Sequence, residues 1–320
     1  MDSASPRVTI LLATYNPPLE WLALQLRSLD RQDYNNVQLL ALDDASPGIS
    51  LEELEAFFQG NLHRIPYRLG RNDVNMGSTK TFEKLTALAR SGYIAFCDQD
   101  DIWDTDKISR SMQTLKEYGA LLVCGDAQII DGEGQLTASS VTDIRKRQVF
   151  ASGEHLAAHI FFGNYVTGCT VLMDSETAKA AIPFPASMVH DHWLGVFAAN
   201  RGRIQVCEGT VMQYRIHGRN QTGILSGIGN KRDYYNKRIE PFYMQAMEIS
   251  QRLKPEPFIS QALQWAAARR DYFNGSLRAA GNILKHRRYN PKVSLFELAL
   301  RFMPTPLFRL ILKKIQDGTL

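Results

Sequence analysis

The sequence predicts an α/β protein in which a mainly parallel sheet is flanked by helices and followed by a helical extension. Three observations support this fold class. Short apolar runs typical of buried strands alternate with stretches of helical periodicity, and the first four runs all end in polar residues. Beyond residue 226 the pattern is helical, with no strand signal. Strands joined by helices also imply right-handed crossovers.

The strand predictions follow from the positions of these apolar runs. A helix that opens at Pro18 and repeats leucine at helical spacing separates the first two strands. The predicted strands are Val8–Tyr15, Val37–Asp43, Tyr67–Gly70, Tyr93–Cys97, Leu121–Ile130, Val166–Met173, Ile204–Cys207 and Val211–Ile216. Further helices are expected near residues 154–162 and from Met188.

The composition excludes several classes of protein. The 320 residues are 44% hydrophobic and 22% charged, which is ordinary for a folded globular chain. The N-terminus lacks the pattern of a signal peptide, and no apolar stretch is long enough to span a membrane, so a cytoplasmic location is expected. The 4 cysteines are widely spaced, which indicates buried thiols rather than disulfides or a zinc site.

Charge divides the chain into an acidic part and a basic part. Residues 226–320 contain 17 Lys and Arg against 7 Asp and Glu, although the whole chain has a net charge of only +4. We therefore expect a catalytic domain over residues 1–225 and a basic helical region over 226–320. The basic residues form no nucleic-acid recognition motif, so an anionic surface or a homo-oligomer contact suits them better than nucleic acid.

The most distinctive motif is an acidic cluster directly after the fourth strand. Asp98, Asp100 and Asp101 place three carboxylates close together in sequence, and like charges at this density need a counter-charge. Carboxylate oxygens suit Mg²⁺ or Mn²⁺, which often bind protein carboxylates together with phosphate oxygens. The cluster therefore predicts a site for a divalent metal and a diphosphate.

Polar residues also follow the other early strands. They are Thr14, Tyr15 and Asn16 after the first strand, Asp43 and Asp44 after the second, and Asn72 after the third. In open α/β sheets, ligands bind beyond the carboxyl ends of the strands. The four strand ends together predict one binding edge.

The order and spacing of these motifs resemble those of the inverting family 2 glycosyltransferases with the GT-A fold, and in particular the bacterial rhamnosyltransferase-like members. The matching segments are Ala13–Asn16, Asp43–Ser46, Asn72–Gly77, Phe96–Trp103, His190–Trp193 and Tyr214–Gly223. The resemblance implies transfer of a sugar from a nucleotide-diphospho-sugar to a saccharide or lipid-linked saccharide, in cell-surface polysaccharide or lipopolysaccharide synthesis. The subgroup favours dTDP-rhamnose as the donor.

The resemblance also implies roles for individual residues. Donor-binding positions are Thr14, Tyr15, Asn16, Asp43, Asp44, Asn72, Asn75, Asp98, Arg215 and His217. The divalent metal is expected at Asp98, Asp100 and His217, whereas Asp101 is expected to orient the loop. A loop that carries Arg215, His217 and Arg219 is expected to close over the diphosphate.

Asp191 is the expected general base, because it occupies the matching acid position of the family. Many relatives carry Glu-Asp where this chain has His190-Asp191, and whether the imidazole perturbs the carboxylate stays open at this point. Trp103 and Trp193 suit either the core or stacking on an acceptor sugar.

Two other functions stay open. An Asp-x-Asp after a buried strand is also typical of aspartate-dependent phosphatases, although Ile102 stands where those enzymes carry Thr or Val. A non-catalytic nucleotide-sugar-binding protein would not need Asp191 beside a separate metal cluster.

The C-terminal residues 301–320 predict a basic amphipathic helix. Its apolar arc consists of Leu307, Phe308, Leu310, Ile311, Leu312 and Ile315. This pattern is typical either of peripheral attachment to the inner face of the plasma membrane or of packing and dimerisation, and both interpretations stay open.

Overall fold

The computed structural model describes residues 5–146, 148–217 and 227–316. The chain divides into two compact units, Met1–His217 and Gly218–Leu320. The first unit contains a sheet with helices packed against it. The described residues of the second unit are helical and include no strand.

The first unit is built on one 9-stranded sheet. Its strands are β1 Val8–Thr14, β2 Val37–Asp43, β3 Tyr67–Arg71, β4 Tyr93–Cys97, β5 Ile102–Trp103, β6 Leu122–Ile130, β7 Leu136–Ala138, β8 Leu172–Asp174 and β9 Ile204–Arg215. The strand order is β3-β2-β1-β4-β8-β6-β9-β5, with β7 paired to β6. The expectation of a parallel sheet is confirmed for β3, β2, β1 and β4.

The other half of the sheet is mixed, which corrects the expectation of a mainly parallel arrangement there. Strand β8 is antiparallel to both β4 and β6, β7 is antiparallel to β6, and β5 is antiparallel to β9. Strands β6 and β9 are parallel. A short turn joins β6 to β7, whereas the other antiparallel pairs bring together strands that are distant in sequence. A single sequence does not show which strand inserts between which neighbours.

Helices cover the sheet and close the core of the first unit. They are α1 Leu19–Asp30, α2 Leu51–Asn61, α3 Ser78–Leu88, α4 Lys107–Tyr118, α5 Val141–Ile144, α6 Ala157–Phe162, α7 Ser175–Ala180 and α8 His190–Ala199. In α1, Leu22, Leu26 and Leu29 are fully buried against the strands, as their helical spacing predicts.

Three predicted strands differ from the structure. The segment Val166–Met173 was expected to be one strand, but Gly168–Thr170 forms a 3₁₀ turn and only its end belongs to β8. The predicted strands Ile204–Cys207 and Val211–Ile216 are instead the single strand β9. Its register against β6 shifts near Gly209, whose φ of 68° accommodates the irregularity.

The second unit has its own apolar core. Its helices are α9 Lys231–Tyr234, α10 Glu240–Arg252, α11 Pro257–Phe273, α12 Ala279–Lys285, α13 Pro291–Leu300 and α14 Thr305–Gln316, with a π-helical segment at Tyr235–Ile239. Arg269 and Glu297 form a buried bidentate pair with contacts of 2.7 and 2.6 Å.

Helix α14 uses only part of its apolar arc for packing. Phe308 and Leu312 are buried in the core of the second unit, whereas Leu307 and Leu310 are 45% and 55% exposed. Among the described residues, no helix has both the length and the apolar character needed to cross a bilayer.

Candidate active site

The carboxyl ends of the parallel strands bring the predicted motifs to one edge of the sheet. Thr14 of β1 lies in register with Asp43 of β2, and Asp43 lies in register with Arg71 of β3. On the other side of β1, Leu12 pairs with Cys97, so that the acidic cluster begins one residue later. The sheet therefore positions the motifs as the sequence predicted.

Asp43 is fully buried and binds other parts of the protein with both carboxylate oxygens. Thr14 Oγ1 donates to its Oδ1 at 3.2 Å, and Arg71 Nε lies 2.7 Å from its Oδ2. The hydroxyl and the amide of Ser46 donate at 2.5 and 2.9 Å. Because a carboxylate has about four acceptor positions, these four contacts leave little capacity for a direct bond to a base.

Asp44 organises the loop that follows β3. Its carboxylate accepts hydrogen bonds from Asn72 Nδ2 at 2.8 Å and from the amides of Met76 and Gly77 at 2.9 and 2.8 Å. Asn75 Nδ2 donates to the backbone oxygen of Asp44 at 3.2 Å. Burial alone would raise the pKa of Asp44, but these hydrogen bonds outweigh it and lower the pKa. Asp44 and Asn72 thus shape the edge of the site from inside.

Tyr15 and Asn16 form the turn after β1. Tyr15 is 46% exposed, and its backbone is held by Gln99, which accepts from the Tyr15 amide at 2.7 Å and donates to the Tyr15 oxygen at 3.2 Å. Asn16 has a left-handed φ of 42°, stabilised by a 2.8 Å bond from its amide to Ser46 Oγ. Gln99 therefore links this turn to the acidic cluster, a role that the sequence did not indicate.

The acidic cluster concentrates negative charge at the end of β4. Burial raises the pKa of Asp98 well above its usual value, and the charges of Asp101, Asp100 and Asp191 raise it further. Asp101 is fully buried, and its Oδ1 accepts a hydrogen bond from the Arg215 amide at 3.0 Å. Burial raises the pKa of Asp101 to about 7. A bound cation would relieve this accumulation of charge.

His217 lies against this cluster. Its Nε2 is 2.8 Å from Asp100 Oδ2, so the two predicted metal ligands are neighbours. Carboxylate oxygens suit Mg²⁺ or Mn²⁺, and the contact with Asp100 brings His217 to the carboxylates predicted to bind such an ion. Among the described residues, the ligand atoms that lie within 4.8 Å of one another are those of Asp98, Asp101 and Cys169. That set fits a hard cation poorly, because burial raises the pKa of the Cys169 thiol and Asp101 already binds the Arg215 amide.

Arg215 does not close over a diphosphate as expected, because its side chain is inside the protein. It is 1% exposed, and its guanidinium donates to backbone oxygens of Asp100 at 2.9 Å, Asp131 at 2.9 Å and Gly132 at 3.3 Å. It therefore fastens the acidic loop to the turn after β6. Arg219, the other expected cation, lies outside the described residues.

Trp21 completes this arrangement and was not among the predicted site residues. Its ring lies 4.9 Å from the His217 ring and 5.1 Å from the Arg215 guanidinium. Its Nε1 donates to the Gly132 oxygen at 3.1 Å. Its position in α1, within a leucine-rich helical repeat, indicated only core packing, so no sequence signal distinguished it.

Asp191 lies in the first turn of α8. Its Oδ2 accepts a hydrogen bond from the Gly168 amide at 3.1 Å, and its Oδ1 accepts one from the His192 amide at 2.5 Å. Burial raises the pKa of Asp191 to about 6, although these hydrogen bonds and the charge of Arg145 oppose the rise. The charge of Asp191 also raises the pKa of Asp98, so the two carboxyl groups are close enough to interact electrostatically.

Burial disfavours the charged form of both histidines beside Asp191. His190 is buried between Phe82 and Phe96, and the centroid of its ring lies 4.2 Å from that of Phe82 and 5.5 Å from that of Phe96. Burial lowers the pKa of His190 to about 3. Burial lowers the pKa of His192 to about 4, and its Nε2 lies 3.1 Å from the Ile160 oxygen. His190 therefore adds no positive charge that would perturb Asp191 near neutrality.

The two tryptophans of the predicted motifs belong to the core. Trp103 is 3% exposed, and Trp193 is fully buried with its Nε1 donating to the Ala181 oxygen at 2.9 Å. Neither ring is available to stack on an acceptor sugar. The hypothesis of core packing is the one that holds.

The positive charge of Arg145 acts on the site, although Arg145 was not among the predicted site residues. Its charge lowers the pKa of Asp191 and offsets part of the rise at Tyr214. The preceding helix α5 is fixed to β6 by a 3.0 Å bond from the Val141 amide to Asp126 Oδ1. Because this contact is tertiary, local sequence patterns do not show it.

The sheet and its carboxyl-edge cluster define the protein as a member of the GT-A fold class. Two solved structures share this fold. S. aureus TarS 1-349 in complex with UDP-GlcNAc has a TM-score of 0.63 and 16% identity, over 98% of this chain and 92% of that one. The mannosyltransferase PcManGT from Pyrobaculum calidifontis, in complex with GDP-Man and Mn²⁺, has a TM-score of 0.56 and 15% identity, over 98% and 88%.

The chain belongs to glycosyltransferase family 2. Residues 9–168 match the family described as Glycosyl transferase family 2. The dTDP-rhamnosyl transferase RfbG of Shigella flexneri is 26% identical over 272 residues, which cover 79% of this chain and 88% of that protein. The UDP-Glc:alpha-D-GlcNAc-diphosphoundecaprenol beta-1,3-glucosyltransferase WfgD of Escherichia coli is 21% identical over 65% of this chain and 77% of that protein. The family membership supports a glycosyltransferase over a phosphatase.

Proposed function

We propose that the protein is a metal-dependent inverting glycosyltransferase that moves a hexosyl or deoxyhexosyl group from a nucleotide-diphospho-sugar to a saccharide or lipid-linked saccharide. The observation that carries this proposal is the pairing of two separate acidic groups within one site. Asp98 and Asp100 follow the end of β4, where Asp100 contacts His217. Asp191 lies on α8, where it accepts a separate hydrogen bond from the Gly168 amide, and its charge acts on Asp98. A metal that assists departure of the diphosphate and a base that activates the acceptor hydroxyl need two separate sets of carboxylates.

On the donor side, the described residues include the turn after β1, the sheet edge next to it and the proposed metal ligands. The exposed Tyr15 is suited to contact the nucleoside, while Thr14, Asp43, Asp44 and the Asn72–Gly77 loop define the surface behind it. A divalent metal held by Asp98, Asp100 and His217 would neutralise the leaving diphosphate. The Mn²⁺ in the solved mannosyltransferase complex supports this cofactor class.

On the acceptor side, Asp191 is the base. With a pKa of about 6 it is ionised near neutrality, and it takes the proton of the acceptor hydroxyl as that oxygen attacks the anomeric carbon. The bond between the anomeric carbon and the diphosphate oxygen breaks as the new glycosidic bond forms on the opposite face. The configuration therefore inverts through an oxocarbenium-like transition state. The Gly168 and His192 amides hold the carboxylate in place.

The relatives support a narrower proposal for the substrates. The similarity to a protein named as a dTDP-rhamnosyl transferase favours dTDP-rhamnose as donor. The similarity to a glucosyltransferase named for a diphosphoundecaprenol acceptor favours a lipid-linked acceptor and a role in polysaccharide synthesis. We assign catalysis to residues 1–225 and propose that residues 226–320 contact another protomer or the inner face of the membrane. Removal of residues 301–320 is then expected to weaken sedimentation with anionic vesicles.

A nucleotide-sugar panel tests the proposal. The protein is incubated with Mg²⁺ or Mn²⁺ and one donor at a time, with and without saccharide acceptors, and free nucleoside diphosphate is measured. We expect acceptor-dependent release that disappears in Asp100→Asn and persists in Asp106→Asn, which changes an exposed acid outside the cluster. Release of inorganic phosphate would instead indicate a phosphatase, and binding without turnover would indicate a binding protein.

A further inference from the structure

Lys107, the first residue of α4, is a charged side chain with no exposure to solvent. Its Nζ donates a hydrogen bond to the Cys169 backbone oxygen. It also lies 3.8 Å from Met212 Sδ and 3.3 Å from the centroid of the Trp103 ring. Lys107 forms no ion pair with any residue that the structure describes. The ammonium group therefore contacts one carbonyl, one sulfur and one ring, and the charges of Asp101 and Asp104 act on it without forming an ion pair.

Stability does not explain this lysine. Burial of an ammonium group carries a large desolvation cost, which an ion pair with a carboxylate would offset only partly. Burial lowers the pKa of Lys107 to about 8, and the charges of Asp101 and Asp104, which favour the ammonium form, offset the effect of burial only in part. A methionine would fill a similar volume without that cost. The group therefore has a use other than packing.

The contacts of Lys107 join the two halves of the site. Its helix begins shortly after the acidic cluster, separated from it by β5. Its hydrogen-bond acceptor, Cys169, lies in the Gly168–Thr170 turn, and the Gly168 amide of that turn donates to Asp191 Oδ2 at 3.1 Å. A single buried side chain therefore connects the segment behind the metal ligands to the turn that orients the base.

We propose that Lys107 is a positioning residue for the general base. Its ammonium fixes the Cys169 carbonyl, and so the Gly168–Thr170 turn, in the orientation that directs the Gly168 amide at Asp191. This inference rests on the proposed function, since it assigns Asp191 to acceptor activation. Lys107 itself contacts neither substrate, because it is fully buried.

The test replaces Lys107 with Met, which is also unbranched and only one atom shorter but lacks the N–H donors. Lys116→Met is the matched control, because Lys116 lies on the same helix and is exposed. Hydrogen exchange of the amides in residues 167–171 is measured by mass spectrometry, and kcat and donor KM are measured with the donor found in the panel. We expect faster exchange in that segment and a fall in kcat of about 10-fold or more, with donor KM within about 2-fold.

A second variant, Lys107→Gln, retains N–H donors without the charge, and we expect it to recover part of the protection and of kcat. The proposal is overturned if Lys107→Met matches Lys116→Met in both exchange and kcat, or if donor KM rises while kcat is kept. Failure of Lys107→Met to fold would also contradict it, because the argument requires that the buried charge opposes stability. If the wild type transfers no sugar, the proposed function fails, and hydrogen exchange alone decides the role of Lys107.

Discussion

Replacement of Arg215 by Met separates two roles for a cation at the active site. In the structure, Arg215 is a buried clamp whose guanidinium binds the backbone oxygens of Asp100, Asp131 and Gly132. If it instead bound the donor diphosphate, it would contribute little to folding and much to nucleotide affinity. The substitution therefore has different consequences under the two hypotheses.

The expected effect follows from the three hydrogen bonds. Their donors are charged, and their loss leaves buried carbonyl groups without these partners, so we expect a decrease in the free energy of unfolding of about 2–4 kcal/mol. Because Arg215 holds the loop that carries Asp100, the affinity for the divalent metal is also expected to fall by about 10-fold to 100-fold. Affinity for the nucleoside diphosphate in the absence of metal is expected to stay unchanged.

Urea denaturation and calorimetric titration with Mn²⁺ measure these effects. Arg203→Met is the matched control, because Arg203 makes a partly exposed ion pair with Glu154 at 3.5 Å. Such a pair contributes no more than about 1 kcal/mol. If Arg215→Met had the stability of the wild type but bound the nucleotide more weakly without metal, the assignment of Arg215 to holding the Asp100 loop would be refuted.

Three further predictions concern the base, its turn and the metal. First, kcat/KM is expected to rise with pH through about 6, because Asp191 must lose its proton, and an acid limb unchanged in Asp191→Asn would exclude this assignment. Second, Gly168→Ala is expected to lower the free energy of unfolding by about 1–3 kcal/mol, because its Cβ would lie 2.8 Å from His190 Nε2. Gly92→Ala, with no atom within 4 Å, is the control for urea denaturation. Third, removal of the divalent metal by chelation or the substitution Asp100→Asn is expected to abolish sugar transfer. Full activity in excess EDTA would contradict the proposed metal dependence.

Local patterns predicted the donor half of the fold well. The strands Val37–Asp43 and Tyr93–Cys97 match the structure residue for residue, and β1 differs from its prediction by one residue. These strands are central and buried, so their apolar character is continuous and their ends are marked by polar residues. The position of the acidic cluster at the sheet edge follows directly from that periodicity.

The acceptor half depends on tertiary contacts that local patterns do not contain. The run Val166–Met173 has the composition of a strand, yet its centre turns at Gly168, where the Val171 amide bonds back to the Gly168 oxygen at 2.9 Å. Arg215 was expected to face the diphosphate and Lys107 was not singled out in the sequence, yet both charged side chains are buried. Their carbonyl partners come from distant segments, which explains why composition and spacing did not reveal them.

Transfer by Asp191→Asn, measured beside donor binding, tests the central claim most directly. The variant keeps the shape of the side chain but cannot accept the acceptor proton. We expect donor affinity by calorimetry within about 2-fold of the wild type and turnover at least ~10²-fold lower. Near-normal turnover in Asp191→Asn, with donor affinity intact, would contradict the assignment of Asp191 as the base.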